Sequence, residues 1–265
     1  MAWVTVSGVP DWVDADELLG PGPWARDDDG WTAQLEREAA ADVGARLRGL
    51  GMGGGALEVV VRPSLKRKHV RDARTREARN RRDTSPGFTR RGVRLDEEGR
   101  RSLTPERLAL DLGRAAQRAG IRTVLDAFAG AGGNAIGFAR AGVAVTATEL
   151  DPDRAADARH NVDVYDVADR VQVRAADALQ VMGSQEADLL FLDPPWGGYD
   201  HVRTGVDDVP LLRAALAFAP RFPHVWCKLP PSFDPHELPG FRPRAVFGHQ
   251  PGDRHRVKFV WLQRP

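Results

Sequence analysis

The chain has 265 residues, of which 42% are hydrophobic and 28% charged, with a formal net charge of +1 and a single cysteine. Such a composition describes a globular protein with room for one α/β domain and a sizeable extension. No apolar run reaches the ~18–20 residues that cross a bilayer. The opening MAWVTVSGVPDWVDADELL lacks the basic start of a signal peptide, and Cys227 alone excludes an intramolecular disulfide and a cysteine-rich zinc site. The expectation is a cytoplasmic protein with no membrane contact, its oligomeric state open with a monomer slightly favoured.

In chain order, the first 35 residues carry Trp3, Trp12, Trp24 and Trp31, four indoles that predict ordered packing rather than a loose tail. Residues 33–50 place Leu35, Ala39, Val43, Leu47 and Leu50 at helical spacing, with Gly51 as the stop. GMGGGA reads as a flexible turn, and ALEVVVRP (56–63) as a short strand. Residues 62–94 form a basic block opposed only by Asp72, Glu77 and Asp83, a charge distribution suited to nucleic acid, with Arg67, Arg71 and Arg90 as candidate contacts. A helix is predicted after Thr104 as N-cap and Pro105 as first helical residue, with the stripe Leu108, Leu112, Ala115, Ala116 and an end at Gly120. The domain boundary is placed near 100, dividing an extension (1–100) from a catalytic domain (101–265).

From residue 121 strands and helices alternate: TVLDAF, then the helix NAIGFARAG, VAVTATE, a helix opened by Asp151-Pro152, RVQVR, the apolar strand ADLLFLD, the helix LLRAALAFA, HVWCKL, FRPRAVFG and RVKFVWLQ. That order predicts a doubly wound α/β sheet, mostly parallel with an antiparallel last strand, and places ligands at the carboxyl ends of its strands.

The turn after the first of these strands, Gly130-Ala-Gly132-Gly133-Asn-Ala135, fits the G-x-G-x-x-A pattern of a dinucleotide site, with Glu149 about twenty residues on. Asp126, four residues before Gly130, argues otherwise, because a pyrophosphate at a helix N-terminus wants no carboxylate beside it. An acid there suits a ligand with an ammonium and a sulfonium, such as S-adenosylmethionine, with Glu149 accepting from ribose hydroxyls and Asp177 meeting the adenine amine. The residues expected to hold this cofactor are Asp126, Ala127, Phe128, Gly130, Gly132, Asn134, Glu149, Asp177 and Ala178.

The strand end Asp193-Pro194-Pro195-Trp196-Gly197-Gly198 carries the reaction chemistry. Its prolines hold the backbone extended, so that carbonyls and the Asp193 carboxylate converge on one point. That point asks for hydrogen-bond donors, as on an exocyclic amine. Trp196 offers a plane for a base, and Gly197 and Tyr199 belong to the same expected pocket. Lys228 reads either as a phosphate contact or as an ordinary exposed lysine, while His160 and Tyr165 read as packing residues. No cluster of side chains suggests a metal.

The motif DPPWGG, together with DAFAGAGGNAIGFA, ELDPDRAADARHNVDVYDVADRV, LDEEGRRSLTPERLA and KLPPSFDPHEL, resembles the trimethylguanosine synthase (RNA cap guanine-N2 methyltransferase) family of class I S-adenosylmethionine-dependent enzymes, over roughly 95–265. Eukaryotic members carry Ser before Pro-Pro-Trp-Gly-Gly, whereas this chain has Asp193, as in amino methyltransferases acting on adenine N6 or guanine N2. The resemblance therefore implies a bacterial-type member that methylates a base amine, guanine N2 of RNA in the leading reading, with an adenine-N6 or DNA amino methyltransferase or a small-molecule methyltransferase as the alternatives. It also implies that Trp196 stacks on the base and that the basic N-terminal region helps hold the RNA.

Overall fold

A computed structural model describes residues 1–196 and 202–264. The N-terminal part is built on a four-stranded antiparallel sheet ordered β2-β3-β1-β6, with β1 (Ala2–Ser7), β2 (Ala25–Asp27), β3 (Gly30–Leu35) and β6 (Glu58–Arg62). Short α1 (Ala15–Leu19) lies between β1 and β2. Strand alternation turns Ala2, Val4 and Val6 into the core and Trp3 outward, where it is 56% exposed. Trp12, Trp24 and Trp31 pack against that core as expected, but Trp3 does not. The predicted helix over 33–50 is α2 (Arg37–Leu47), burying Ala40, Ala41, Val43 and Leu47, while Leu35 closes β3 and Ala39 is exposed. GMGGGA forms a small hairpin, β4 (Gly51–Met52) and β5 (Gly55–Ala56). Its tip is tied down by Gly53 and Gly54 N–H groups donating to the Pro231 and Ser232 carbonyls. Much of the basic block becomes α3 (Arg67–Asn80), which packs on α2.

The second sheet has seven strands ordered β12-β13-β11-β10-β7-β8-β9. They are β7 (Thr123–Asp126), β8 (Ala144–Glu149), β9 (Val171–Ala175), β10 (Leu189–Leu192), β11 (His224–Leu229), β12 (Arg242–Phe247) and β13 (Val257–Arg264). Parallel pairing holds from β9 through β11, and β13 runs antiparallel between β11 and β12. The doubly wound reading with an antiparallel last strand is thus realised.

Helices α5 (Glu106–Arg118), α6 (Gly133–Arg140) and α7 (Pro152–Val164) cover one face, contributing Leu108, Leu112, Ile136, Phe138 and Val162 to its core. On the other face, α8 (Ala178–Ser184) and α9 (Leu212–Leu216) bury Met182 and Leu212. Preceding α5, α4 (Glu97–Ser102) starts on Asp96, whose carboxylate accepts from the Gly99 N–H at 2.6 Å.

Two local expectations change. The α5 helix begins at Glu106, one residue later than predicted, and the Thr104 hydroxyl is buried, with no hydrogen bond among the described residues, instead of capping it. The helix over LLRAALAFA shortens to α9, because Leu211 adopts a left-handed conformation (φ 64°) and Pro220 enters a 3-10 turn.

What positions the site is a close crossing of α5 on α6. A Cβ on Gly113 would fall 2.4 Å from the Gly137 carbonyl oxygen, and one on Gly137 would fall 2.4 Å from the Ala109 backbone. Only glycines allow that approach, and it sets where the N-terminus of α6 meets the sheet. The extension is docked on the sheet's edge, since Ala245 and Phe247 of β12 complete the extension's own core. Glu77 of α3 also pairs with Arg256. Among the described residues, no helix is long and apolar enough to cross a membrane.

Candidate active site

The order of the second sheet reverses at β7, which has β8 on one side and β10 on the other. A crevice opens at such a switch point, outside the carboxyl ends of the strands. Period-two alternation decides what enters it. Val124, Phe191 and Trp226 face the α5/α6 layer, so Asp126, Asp193 and Lys228, each two residues further on, turn to that same face at three adjacent strand ends.

The first strand end leads into Ala127-Phe128-Ala129-Gly130. Thr148 locks this turn by donating its hydroxyl to the Ala127 carbonyl at 2.7 Å, and Gly132 takes the left-handed conformation (φ 90°) that begins α6. Glu149 at the end of β8 accepts from the Gly130 and Asp151 N–H groups, both at 3.0 Å. Asp177 caps α8 by accepting from Leu179 N–H at 2.9 Å. The cavity between these ends is lined by Ala127, Phe128, Gly130, Asn134, Glu149, Asp177, Ala178, Asp193, Pro194, Pro195, Trp196 and Lys228. Predicted cofactor and reaction residues therefore share one wall.

Two predicted positions do not line the cavity, and a third lines it with its donor already engaged. Asp126 does not line the cavity: it is fully buried, and neither carboxylate oxygen has a hydrogen-bond partner among the described residues. As the last residue of a strand paired on both sides, it sits close to the Asp193 and Lys228 side chains. Burial and the neighbouring Asp193 carboxylate push its pKa from the usual carboxylate range up to about 8, against the pull of the Phe128 amide and Lys228. Gly132 shapes the turn without lining the cavity. Asn134, expected on the cofactor, spends its side-chain N–H on Asp193 Oδ2 at 2.8 Å, and its Oδ1 is buried without a partner among the described residues.

Lys228 is neither exposed nor committed to a phosphate. Its side chain is 4% exposed, and Nζ donates to Asp193 Oδ2 at 2.7 Å. The ammonium lies 5.0 Å from the centre of the Trp196 ring, while Trp196 Nε1 donates to the Lys228 carbonyl at 3.3 Å. Burial raises the pKa of Asp193, while Lys228 and Asn134 oppose the rise. The signal for Lys228 was available in the sequence: it occupies the inward register of HVWCKL, two residues after Trp226.

Pro194 is buried, Pro195 exposed and Trp196 half-buried. Gly197 and Tyr199 lie outside the described residues. Segment 98–104 was not assigned to the site, yet Glu98, Gly99, Ser102, Leu103 and Thr104 line the cavity. Arg154 anchors that segment, bonding Asp96 at 2.9 Å and Glu98 at 2.8 Å while lying 3.6 Å from Glu149.

Beside Trp196 and Lys228 a second, wider cleft runs between the N-terminal part and the seven-stranded sheet, bordered by Arg46, Arg81, Arg100, Arg101, Arg256 and Lys258. These are not the arginines expected. Arg67 and Arg71 line neither the cavity nor the cleft, and Arg71 pairs with Asp72 at 3.3 Å. Arg90 is bound to the Val164 carbonyl and Asp166, each at 2.6 Å, over the ring of Tyr165. Part of the basic block is thus spent on internal pairs, Arg76 with Asp42 and Arg81 with Glu77 among them. Tyr165 is a packing residue as expected, its hydroxyl donating to Glu106 at 2.5 Å and accepting from Thr89 N–H. Cys227 is buried, with its thiol pKa pushed up by desolvation.

With this geometry in place, comparison with known proteins is informative. Residues 121–216 match the family model described as RNA cap guanine-N2 methyltransferase. The trimethylguanosine synthase of Schizosaccharomyces pombe is 34% identical over 114 residues, covering 40% of this chain and 47% of that protein. The trimethylguanosine synthase of Saccharomyces cerevisiae is 30% identical over 115 residues, covering 41% of this chain and 36% of that protein. The chain thus spans about half or less of the length of these curated relatives. Among solved structures, a methyltransferase from Geobacter sulfurreducens aligns with TM-score 0.43 and 21% identity, covering 64% of this chain and 78% of that one.

Proposed function

We propose that this chain, whose segment 121–216 matches the RNA cap guanine-N2 methyltransferase family model, methylates an exocyclic amine of a nucleic-acid base, guanine N2 of RNA, using S-adenosylmethionine. The observation that carries the reading is the convergence, at one switch point, of a glycine-turned cavity and an Asp193-Pro194-Pro195-Trp196 edge. The first suits the methyl donor and the second a flat base with N–H groups.

The residues fit the cofactor. The oxygens of Asp126, buried and without a hydrogen-bond partner among the described residues, would accept from the cofactor's ammonium. Glu149, fixed by two backbone N–H groups, keeps lone pairs for ribose hydroxyls, and Asp177 keeps one oxygen for an amine donor. Bound there, S-adenosylmethionine would supply an electrophilic methyl on its sulfonium, with the thioether as leaving group. The chain's own part is to prepare the nucleophile. A base amine is a poor one because its lone pair is delocalised into the ring. Accepting its N–H groups at Asp193 Oδ1 and the Pro194 carbonyl favours pyramidal nitrogen and stabilises the positive charge that develops there. As the new N–C bond forms, the nitrogen's surplus proton passes to Asp193 or to water.

Trp196 pins the base in register, a stacking contribution of about 1–3 kcal/mol. RNA binding is assigned to the cleft bordered by Arg100 together with Arg81, Arg101, Arg256 and Lys258, which also pair with carboxylates and add to the positive field there.

Labelled S-adenosylmethionine incubated with RNA, DNA and small-molecule fractions from a cell lacking this gene tests the reading. Label should enter RNA and be recovered after digestion as N2-methylguanosine. Recovery as N6-methyladenosine would assign the Asp193 edge to adenine instead, and label confined to small molecules would overturn the nucleic-acid reading.

A further inference from the structure

We propose that Lys228 and Asn134 are positioning residues for the transfer: both donate to Oδ2 of Asp193, fixing the rotation of its carboxylate and reserving Oδ1 for the base amine. The inference rests on the base-amine reading above and adds to it the device that aims the acceptor.

The geometry is specific. Asn134 Nδ2 lies 2.8 Å and Lys228 Nζ 2.7 Å from the same oxygen. A carboxylate oxygen offers two lone-pair positions, so these donors fill Oδ2. Oδ1 makes no hydrogen bond among the described residues, and the side chain reaches the cavity wall at 12% exposure. The two donors come from different elements, Asn134 from the first turn of α6 and Lys228 from the end of β11. Rotating the carboxylate would therefore break both bonds at once.

Lys228 also touches the other half of the reaction site. Its ammonium lies 5.0 Å from the centre of the Trp196 ring and 5.6 Å from that of Phe259, and its carbonyl accepts from the Trp196 indole. One nearly buried residue thereby sets the acceptor and the stacking plane in a common frame. Its charge has a second consequence: burial favours the protonated acid at Asp193, and Lys228 and Asn134 favour the carboxylate that must accept. The buried Asp126 carboxyl also faces Lys228 and interacts with Asp193 as the other titratable group there.

The test is the pH dependence of kcat at saturating S-adenosylmethionine, measured on the nucleic-acid acceptor that the wild type methylates. Lys228→Met should lower kcat by about 10²-fold near neutral pH and move the acidic limb of the profile upward by about one pH unit. Lys228→Arg should restore the limb. Asn134→Ala, which removes one neutral donor, should shift the limb less and in the same direction, and it serves if Lys228→Met does not fold. An active wild type, with variants whose profiles keep the wild-type shape, would overturn the inference alone. A wild type that transfers no methyl to nucleic acid would overturn the base-amine reading and this inference with it.

Discussion

Trp196→Ala is expected to abolish methyl transfer while leaving cofactor affinity nearly unchanged. Its ring stands at the mouth shared by the cavity and the basic cleft, where it supplies the plane against which a base is held. The stacking term alone is about 1–3 kcal/mol. Displacing the amine by an ångström from its line of attack costs about 10²-fold more. The combined loss in kcat/KM should therefore exceed about 10³-fold. The indole is half-buried and packs partly against the core, so a modest fall in melting temperature should accompany it. Calorimetric binding of S-adenosylhomocysteine separates the two effects. Retained binding with lost transfer assigns Trp196 to the base, whereas loss of both together would make it a structural residue.

Asp126→Asn should weaken cofactor binding by about two orders of magnitude, near the upper value of ~3 kcal/mol for a hydrogen bond to a charged group. It should also remove a proton-linked component. In the wild type the Asp126 pKa is raised to about 8. Near neutral pH the native protein therefore holds a proton that the unfolded chain has already lost. The sign follows directly: this contribution to stability is complete below about pH 4 and is lost as pH rises towards 8. An ammonium ligand favours the ionised form, so binding at pH 7 should release close to one proton. Calorimetry in buffers of different ionisation enthalpy reads that number. Asp126→Asn should release none, and its stability should lose the decline between pH 4 and 8. Equal proton release and equal affinity in the two proteins would make Asp126 a buried neutral acid with no part in binding.

Much of the catalytic domain was legible from residue 121 onward because period-two and helical spacing there agree with the turn chemistry. The strand His224–Leu229 and the cap Asp151 with Pro152 after it fall where the sequence puts them. The extension was less legible. β1 and β3 hide in a stretch whose tryptophans suggested packing without revealing which face each one takes, and Trp3 turned outward. Within the site, the sequence identified the acids by their strand ends but not how they share donors. That Asn134 and Lys228 meet on one oxygen depends on bringing α6 and β11 together, a long-range fact that no local pattern encodes. The basic block misled for a related reason. Charge density marks a surface, but Arg76, Arg81 and Arg90 find carboxylates only after folding, and the cleft draws arginines from before, within and after the block.

The central claim, that a base amine is presented to the methyl donor by Asp193 and Trp196, is tested most directly by removing that amine from the acceptor. An RNA methylated by the wild-type protein would be compared with the same RNA carrying inosine in place of guanosine, since inosine keeps the ring and lacks the N2 amine. Transfer to the guanosine RNA and none to the inosine RNA, with both bound equally, is the predicted result. Equal methylation of the inosine RNA would contradict it.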